Sequence, residues 1–352
     1  MMTKLPSAAT AAIATLAMAC VTPPEPGDRG VDEGKADVAG TSPIGDEAHA
    51  LWNSYVADHD PSTLQPGCRP FQSVIPPNVA YHGVVVLFHG FTACPQQFEE
   101  VAQHLGAQGM VVLAPLLPGH GRIASIDAGA VRDDVSGLPE DGDFQAYTRF
   151  ALRMDEILAA ADGVHSVGGI SVGGAIAARV AADGTGADRA LLINSFFDAA
   201  GLSAFLLAPA NALAPHARRS WGEGCELERP RGRAGYCQFE ITHLRAVQRF
   251  GAETAARATA IEIPVQNLGV EDDHAASPAA IASVGDRLAS GATCFFEAGV
   301  NHSLLSRHDS PDEDKFWMTT ALVQVTRFVA TGAWWETVGT SPIASYPRCR
   351  AR

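Results

Sequence analysis

Ser171 stands in Gly169-Ile170-Ser171-Val172-Gly173, the spacing G-x-S-x-G. The apolar run Val164 to Ile170 before it reads as a strand, and the small-residue run Val172 to Ala182 after it reads as a helix. Between the two, a turn tight enough to need small residues two positions away would lift the Ser171 hydroxyl above a sheet. It would also put the hydroxyl near a helix N-terminus, where developing negative charge is favoured. A serine hydroxyl is a weak nucleophile and needs a base. His302, in Gly299-Val300-Asn301-His302-Ser303, is the leading candidate because it follows the last expected strand on a glycine-bearing loop. His82, His89, His120, His165 and His274 are its rivals; His165 precedes its strand and would lie at the wrong edge.

The base needs a carboxylate to orient it and to stabilise the imidazolium. Gly269-Val270-Glu271-Asp272-Asp273 follows the expected strand Ile263 to Leu268. Asp272, third after Gly269, is the choice, with the adjacent Asp273 and the more distant Asp198 as alternatives. An oxyanion formed on the substrate would be held by two backbone N–H groups. Val172, next after the nucleophile, and Phe91, in His89-Gly90-Phe91-Thr92 after another strand, are placed to supply them.

These groups work only if one scaffold brings them together. Val84-Val85-Val86-Leu87-Phe88, Met110 to Leu113, Val164 to Ile170, Ala190 to Asn194, Ile263 to Leu268 and Thr293 to Phe296 all read as buried strands. Helical patterns alternate with them: Pro95 to Gln108, Asp143 to Ala161, Val172 to Ala182 and Lys315 to Ala330. That order predicts an α/β fold, a largely parallel sheet with helices on both faces. Each candidate residue follows a strand, at the carboxyl edge where such sheets carry their sites. About 65 residues separate Asn194 from Ile263, long enough for a cap over that edge, at about 195–260. Leu117, Phe205, Leu206 and Leu207 could line an acyl pocket or simply pack the cap on the core.

Taken together, the strand followed by His89-Gly90-Phe91-Thr92, the Leu117-Pro118-Gly119-His120-Gly121 turn, Gly-Ile-Ser-Val-Gly-Gly, Gly-x-x-Asp and Asn-His-Ser resemble the α/β-hydrolase superfamily. More narrowly they are similar to its carboxylesterase and monoacylglycerol lipase-like members. The resemblance covers about residues 80 to 330. It implies an eight-stranded sheet, a cap after the sixth strand and ester hydrolysis through an acyl-enzyme on Ser171, His302 and Asp272. An amidase, thioesterase or acyltransferase would use the same triad, and a non-catalytic surface lipoprotein could keep the fold. No HExxH, P-loop or dinucleotide fingerprint is present, so neither a metal nor an organic cofactor is expected.

The rest of the chain bounds the setting. It has 352 residues, 47% hydrophobic and 18% charged, a globular composition with room for a substantial core. The net charge of −14, without a basic cluster, argues against a nucleic-acid partner. Residues 1–20 read as a signal peptide: Lys4, an apolar run from Leu5, a small-residue site Ala17-Met18-Ala19, then Cys20. Cys20 in that place resembles the lipidated cysteine of a bacterial lipoprotein; ordinary secretion and a cytoplasmic helix are the competing readings. Residues 21–46 read as a flexible linker, and 47–352 as the hydrolase domain. The six remaining cysteines suggest disulfides in an exported protein, with Cys225 and Cys237 the closest pair.

Overall fold

A strand whose residues are all apolar has to be covered on both faces. In the computed structural model every residue of the stretch Gly83–Phe88 is buried, and its side chains divide by alternation. Val84, Val86 and Phe88 pack into one hydrophobic layer, Val85 and Leu87 into another. The structure describes residues 43–352 except 128–129, 202, 230–231, 298, 308–314, 316, 335–346 and 352. The expected signal peptide, Cys20 and most of the expected linker therefore lie outside the described residues.

In chain order the first half runs α1 (Asp46–Ala57), β1 (Phe71–Gln72), β2 (Gly83–Phe88), α2 (Glu99–Gly106), β3 (Met110–Ala114), β4 (Ile123–Asp127), β5 (Ala130–Asp133), α3 (Ala146–Ala159) and β6 (Val164–Ile170). The second half runs α4 (Val172–Asp183), β7 (Arg189–Ile193), α5 (Ser203–Leu213), β8 (Arg218–Ser220), α6 (Glu223–Glu228), β9 (Gln238–Glu240), α7 (Ile241–Ala256), β10 (Val265–Val270), α8 (Pro278–Gly285), β11 (Gly291–Phe296), α9 (Met318–Thr331) and β12 (Arg348–Ala351). Eight strands form one sheet in the order β1-β3-β2-β6-β7-β10-β11-β12. The six inner strands are parallel, and β1 and β12 close the edges antiparallel. This is the mostly parallel, helix-flanked eight-stranded sheet expected of an α/β hydrolase.

The sheet order reverses between β2 and β6: the chain leaves β2 toward β3 on one side and returns to β6 on the other. A crevice opens at such a reversal, because the loops leaving the two strands diverge. Phe88 pairs with Gly169 across it, so the loop after β2 and the turn after β6 leave the sheet side by side. The segment between β7 and β10, where a cap was expected, holds α5, the two-stranded sheet β8–β9, α6 and α7. Three disulfides join Cys68 to Cys94, Cys225 to Cys237 and Cys294 to Cys349. Such bonds persist in oxidising compartments. Among the described residues no helix is long and apolar enough to cross a membrane.

Candidate active site

Ser171 sits between β6 and α4 with φ 59° and ψ −122°, a backbone conformation that L-residues rarely adopt. The turn closes because its flanking residues have no side chains. A Cβ on Gly173 would lie 2.0 Å from the Phe88 carbonyl oxygen, and one on Gly169 would lie 2.3 Å from Gly173. Two backbone hydrogen bonds pin the strained residue: Ser171 N–H to Ile193 O at 2.9 Å, and Phe196 N–H to Ser171 O at 2.9 Å. The serine is nearly buried yet opens on a cavity of about 250 Å³, which His302 also lines.

His302 Nδ1 donates to Asp273 Oδ2 at 2.6 Å. Asp272, the expected partner, does not make this contact. Its carboxylate is exposed and accepts the Gly299 N–H at 3.1 Å. Here the sequence expectation is corrected, for a reason of register. β10 ends at Val270 rather than Leu268, so Gly269 is still in the strand and the turn starts later than the motif count assumed. Asp273 is fully buried, and its Oδ1 accepts the N–H groups of Ala275 at 2.8 Å and Ala276 at 3.1 Å. Burial is the largest single influence on its pKa and pushes it up. The His302 contact and the two amides together outweigh burial and hold it below the ordinary carboxylate value.

Asp198, the third candidate, is held by Gln248 at 2.7 Å and by the Ala199 amide at 2.8 Å. Three of the rival histidines, His89, His82 and His165, are occupied elsewhere. His89 Nε2 accepts the Leu117 N–H at 3.0 Å, so its Nδ1 donates to Gly90 O at 2.9 Å. Burial, and then the nearby His120, hold it well below the ordinary histidine pKa, so it is a neutral brace under the loop. His82 is tied to the Ala330 carbonyl, and His165 to those of Gly186 and Ala161.

Asn194 is a positioning residue that the sequence reading passed over as the end of a strand. It has φ 43°, and its side-chain N–H donates to the His302 carbonyl at 2.6 Å, fixing the loop that carries His302. An asparagine at a strand's carboxyl end was the available signal, since asparagine tolerates positive φ better than most residues.

Phe91 lines the cavity, and Val172 is the first residue of α4. The loop bearing Phe91 is held from both sides. Gln97 accepts the Gly90 N–H at 2.8 Å, and Cys94 is bonded to Cys68. Thr92, at φ 63°, is latched to the cap: its Oγ1 accepts the Trp221 Nε1–H at 2.7 Å, and its carbonyl accepts the Tyr236 N–H at 2.7 Å. Phe91 packs edge-on against Trp221 and Phe239. The cap contributes Phe196, Trp221, Arg233, Leu244 and Val247 to the cavity wall. The four apolar residues considered from sequence for an acyl pocket are not part of that wall. Leu117 is in the core, Leu207 is buried, and Phe205 and Leu206 are 79% and 59% exposed.

Comparisons with known structures return the same architecture. One of two metagenome-derived lipolytic enzymes is 19% identical with a TM-score of 0.54, over 75% of this chain and 99% of its own. A soluble variant of the monoglyceride lipase of Saccharomyces cerevisiae is 15% identical (TM-score 0.55; 76% and 92% covered). The monoacylglycerol lipase of Paleococcus ferrophilus is 17% identical (TM-score 0.55; 75% and 98% covered). At these identities the likeness is one of fold. Comparison with curated proteins finds no match. The model of the alpha/beta hydrolase family matches residues 85–314, which span the serine turn, the cap and the histidine loop, and the chain belongs to that family.

Proposed function

We propose that the protein is a serine hydrolase that cleaves carboxylic esters through an acyl-enzyme, with Ser171 as nucleophile, His302 as base and Asp273 as its orienting carboxylate. The observation that carries this reading is the 2.6 Å contact of buried Asp273 with His302, which lines the cavity into which Ser171 opens. With its Nδ1–H given to Asp273, neutral His302 has Nε2 free of a proton and able to take one from Ser171. Ser171 Oγ attacks the ester carbonyl as His302 removes its proton, and the carbonyl oxygen becomes an oxyanion. The N–H groups of Phe91 and Val172 are the donors for that oxygen, both fixed before substrate arrives. Asp273 stays ionised while His302 is an imidazolium, consistent with its depressed pKa. His302 then protonates the leaving alcohol. Water, activated by the same histidine, attacks the acyl-enzyme and releases the acid and Ser171.

The lipolytic activities named for the fold neighbours are in keeping with this reading. We further propose export through residues 1–20 with lipidation at Cys20, a setting that suits the three disulfides. The test of the reaction class is turnover of matched butanoyl ester, thioester and amide substrates. The proposal expects the ester to be hydrolysed with Ser171→Ala inactive. Amide or thioester turnover in its place would reassign the class.

A further inference from the structure

Phe91, Phe196, Trp221, Leu244 and Val247 give the Ser171 cavity a largely apolar wall, and no carboxylate lines it among the described residues. One fully charged side chain does, that of Arg233 from the cap. Its side chain is only 13% exposed, so it is not a solvated surface charge that happens to lie at the rim. The backbone around it is fixed to the body of the protein. Ala234 N–H donates to Gln96 at 3.1 Å, Gly235 N–H to Gln65 at 3.1 Å and Tyr236 N–H to the Thr92 carbonyl at 2.7 Å. Cys237, next in line, is bonded to Cys225. Glu228 is one of the partners of Arg233, holding Nη1 at 3.0 Å, and it does not line the cavity. A guanidinium carries five N–H donors on three nitrogens, so one tied to a carboxylate on one side can still receive an anion on another.

Resting on the hydrolase reading above, we propose that Arg233 selects esters carrying an anionic group, a carboxylate or its equivalent, a few bonds from the scissile carbonyl. A compact cavity of about 250 Å³ is only roughly 8 Å across. A carbonyl at Ser171 and an anion at Arg233, both on the wall of this cavity, can therefore belong to one short molecule. A neutral aliphatic ester would have to set apolar atoms against a guanidinium already stripped of most of its water, which costs affinity. An anionic ester replaces that water with a charge-assisted, potentially bidentate contact.

The anion can sit on the acyl or on the alcohol side, and two substrate pairs separate these. Monoethyl glutarate and ethyl pentanoate differ by a terminal carboxylate in place of a methyl group. The pentanoate ester of glycolic acid and ethyl pentanoate differ in the same way on the alcohol side. Acid release is followed at constant pH for wild type, Arg233→Gln and Arg233→Lys. The readout is the ratio of kcat/KM for the anionic ester to that of its neutral match, which cancels any loss of active protein. The proposal expects a ratio above one for at least one pair, falling about tenfold or more in Arg233→Gln and partly retained in Arg233→Lys. A ratio that is the same in wild type and Arg233→Gln for both pairs overturns it and leaves Arg233 as the structural partner of Glu228. Failure of the hydrolase reading looks different: no ester of either kind is turned over and Ser171 stays unlabelled by an acylating probe.

Discussion

Exchanging one oxygen for nitrogen at Asp273 should cost far more than the same exchange one residue earlier. In Asp273→Asn the side chain must still satisfy the Ala275 and Ala276 N–H groups, so its carbonyl oxygen stays on them. The new NH2 group is then turned toward His302 Nδ1, where Oδ2 now accepts at 2.6 Å. Two donors cannot share that contact, so the imidazole moves its proton to Nε2, the nitrogen that must receive the Ser171 proton. The base is then in the wrong tautomer, and its imidazolium has lost its counter-charge. For an orienting carboxylate in this role the loss in kcat is roughly 10⁴-fold, or about 5 kcal/mol of transition-state stabilisation. In Asp272→Asn the remaining carbonyl oxygen can still accept the Gly299 N–H at an exposed site, and the change should stay within about 0.5 kcal/mol. Steady-state hydrolysis of a short ester, with thermal unfolding of each variant as the folding control, decides it. Equal losses at both positions, or a larger loss at Asp272, would refute the assignment of the triad carboxylate.

The buried His120 makes stability depend on pH. Its Nδ1 donates to Pro118 O, its Nε2 has no partner, and burial pushes its pKa down from 6.5 to about 4. Because the unfolded chain binds a proton there more readily, stability is complete above 6.5 and falls as pH drops toward 4, by roughly 3 kcal/mol; denaturant midpoints across that range should show a fall that is shallower in His120→Leu. Trp221→Phe keeps the ring against Phe91 and Phe239 but removes the donor to Thr92. A neutral hydrogen bond is worth about 1 kcal/mol, so acylation of Ser171 should slow severalfold in stopped-flow, without a matching drop in thermal stability. Breaking the Cys68–Cys94 bond by Cys68→Ala with Cys94→Ala opens a loop with a sequence separation of 26. The denaturant midpoint should fall by the equivalent of about 3.5 kcal/mol.

The parallel sheet and the serine turn could be read from sequence because both are local. Val84 to Phe88 can be satisfied only by cover on both faces, and the glycines that mark the turn lie within its own five residues, Gly169 against Gly173 and Gly173 against the Phe88 carbonyl of the adjacent strand. His302 stands out for a similar reason, as it follows the last inner strand. Choosing between Asp272 and Asp273 was not local. It depends on where β10 releases its last residue, and that is set by pairing with β7 and β11, not by the spacing after Gly269. The cap was visible as a length between two strands, but its role in the cavity was not. Trp221 and Arg233 reach the site through the short β8–β9 sheet, the Cys225–Cys237 bond and the hydrogen bonds to Thr92, Gln96 and Gln65, all of them contacts between distant parts of the chain. Phe205 and Leu206, considered from sequence for an acyl pocket or for packing the cap, are exposed instead.

Covalent labelling shows whether Ser171 is an activated nucleophile. The folded protein is treated with a fluorophosphonate, which reacts with a serine only when a base and an oxyanion site act on it together. The labelled peptide is then identified by mass, with Ser171→Ala run in parallel. The account predicts a single adduct on Ser171, absent from the alanine variant. A folded wild-type protein that takes no label, or one whose label persists in Ser171→Ala, would contradict it.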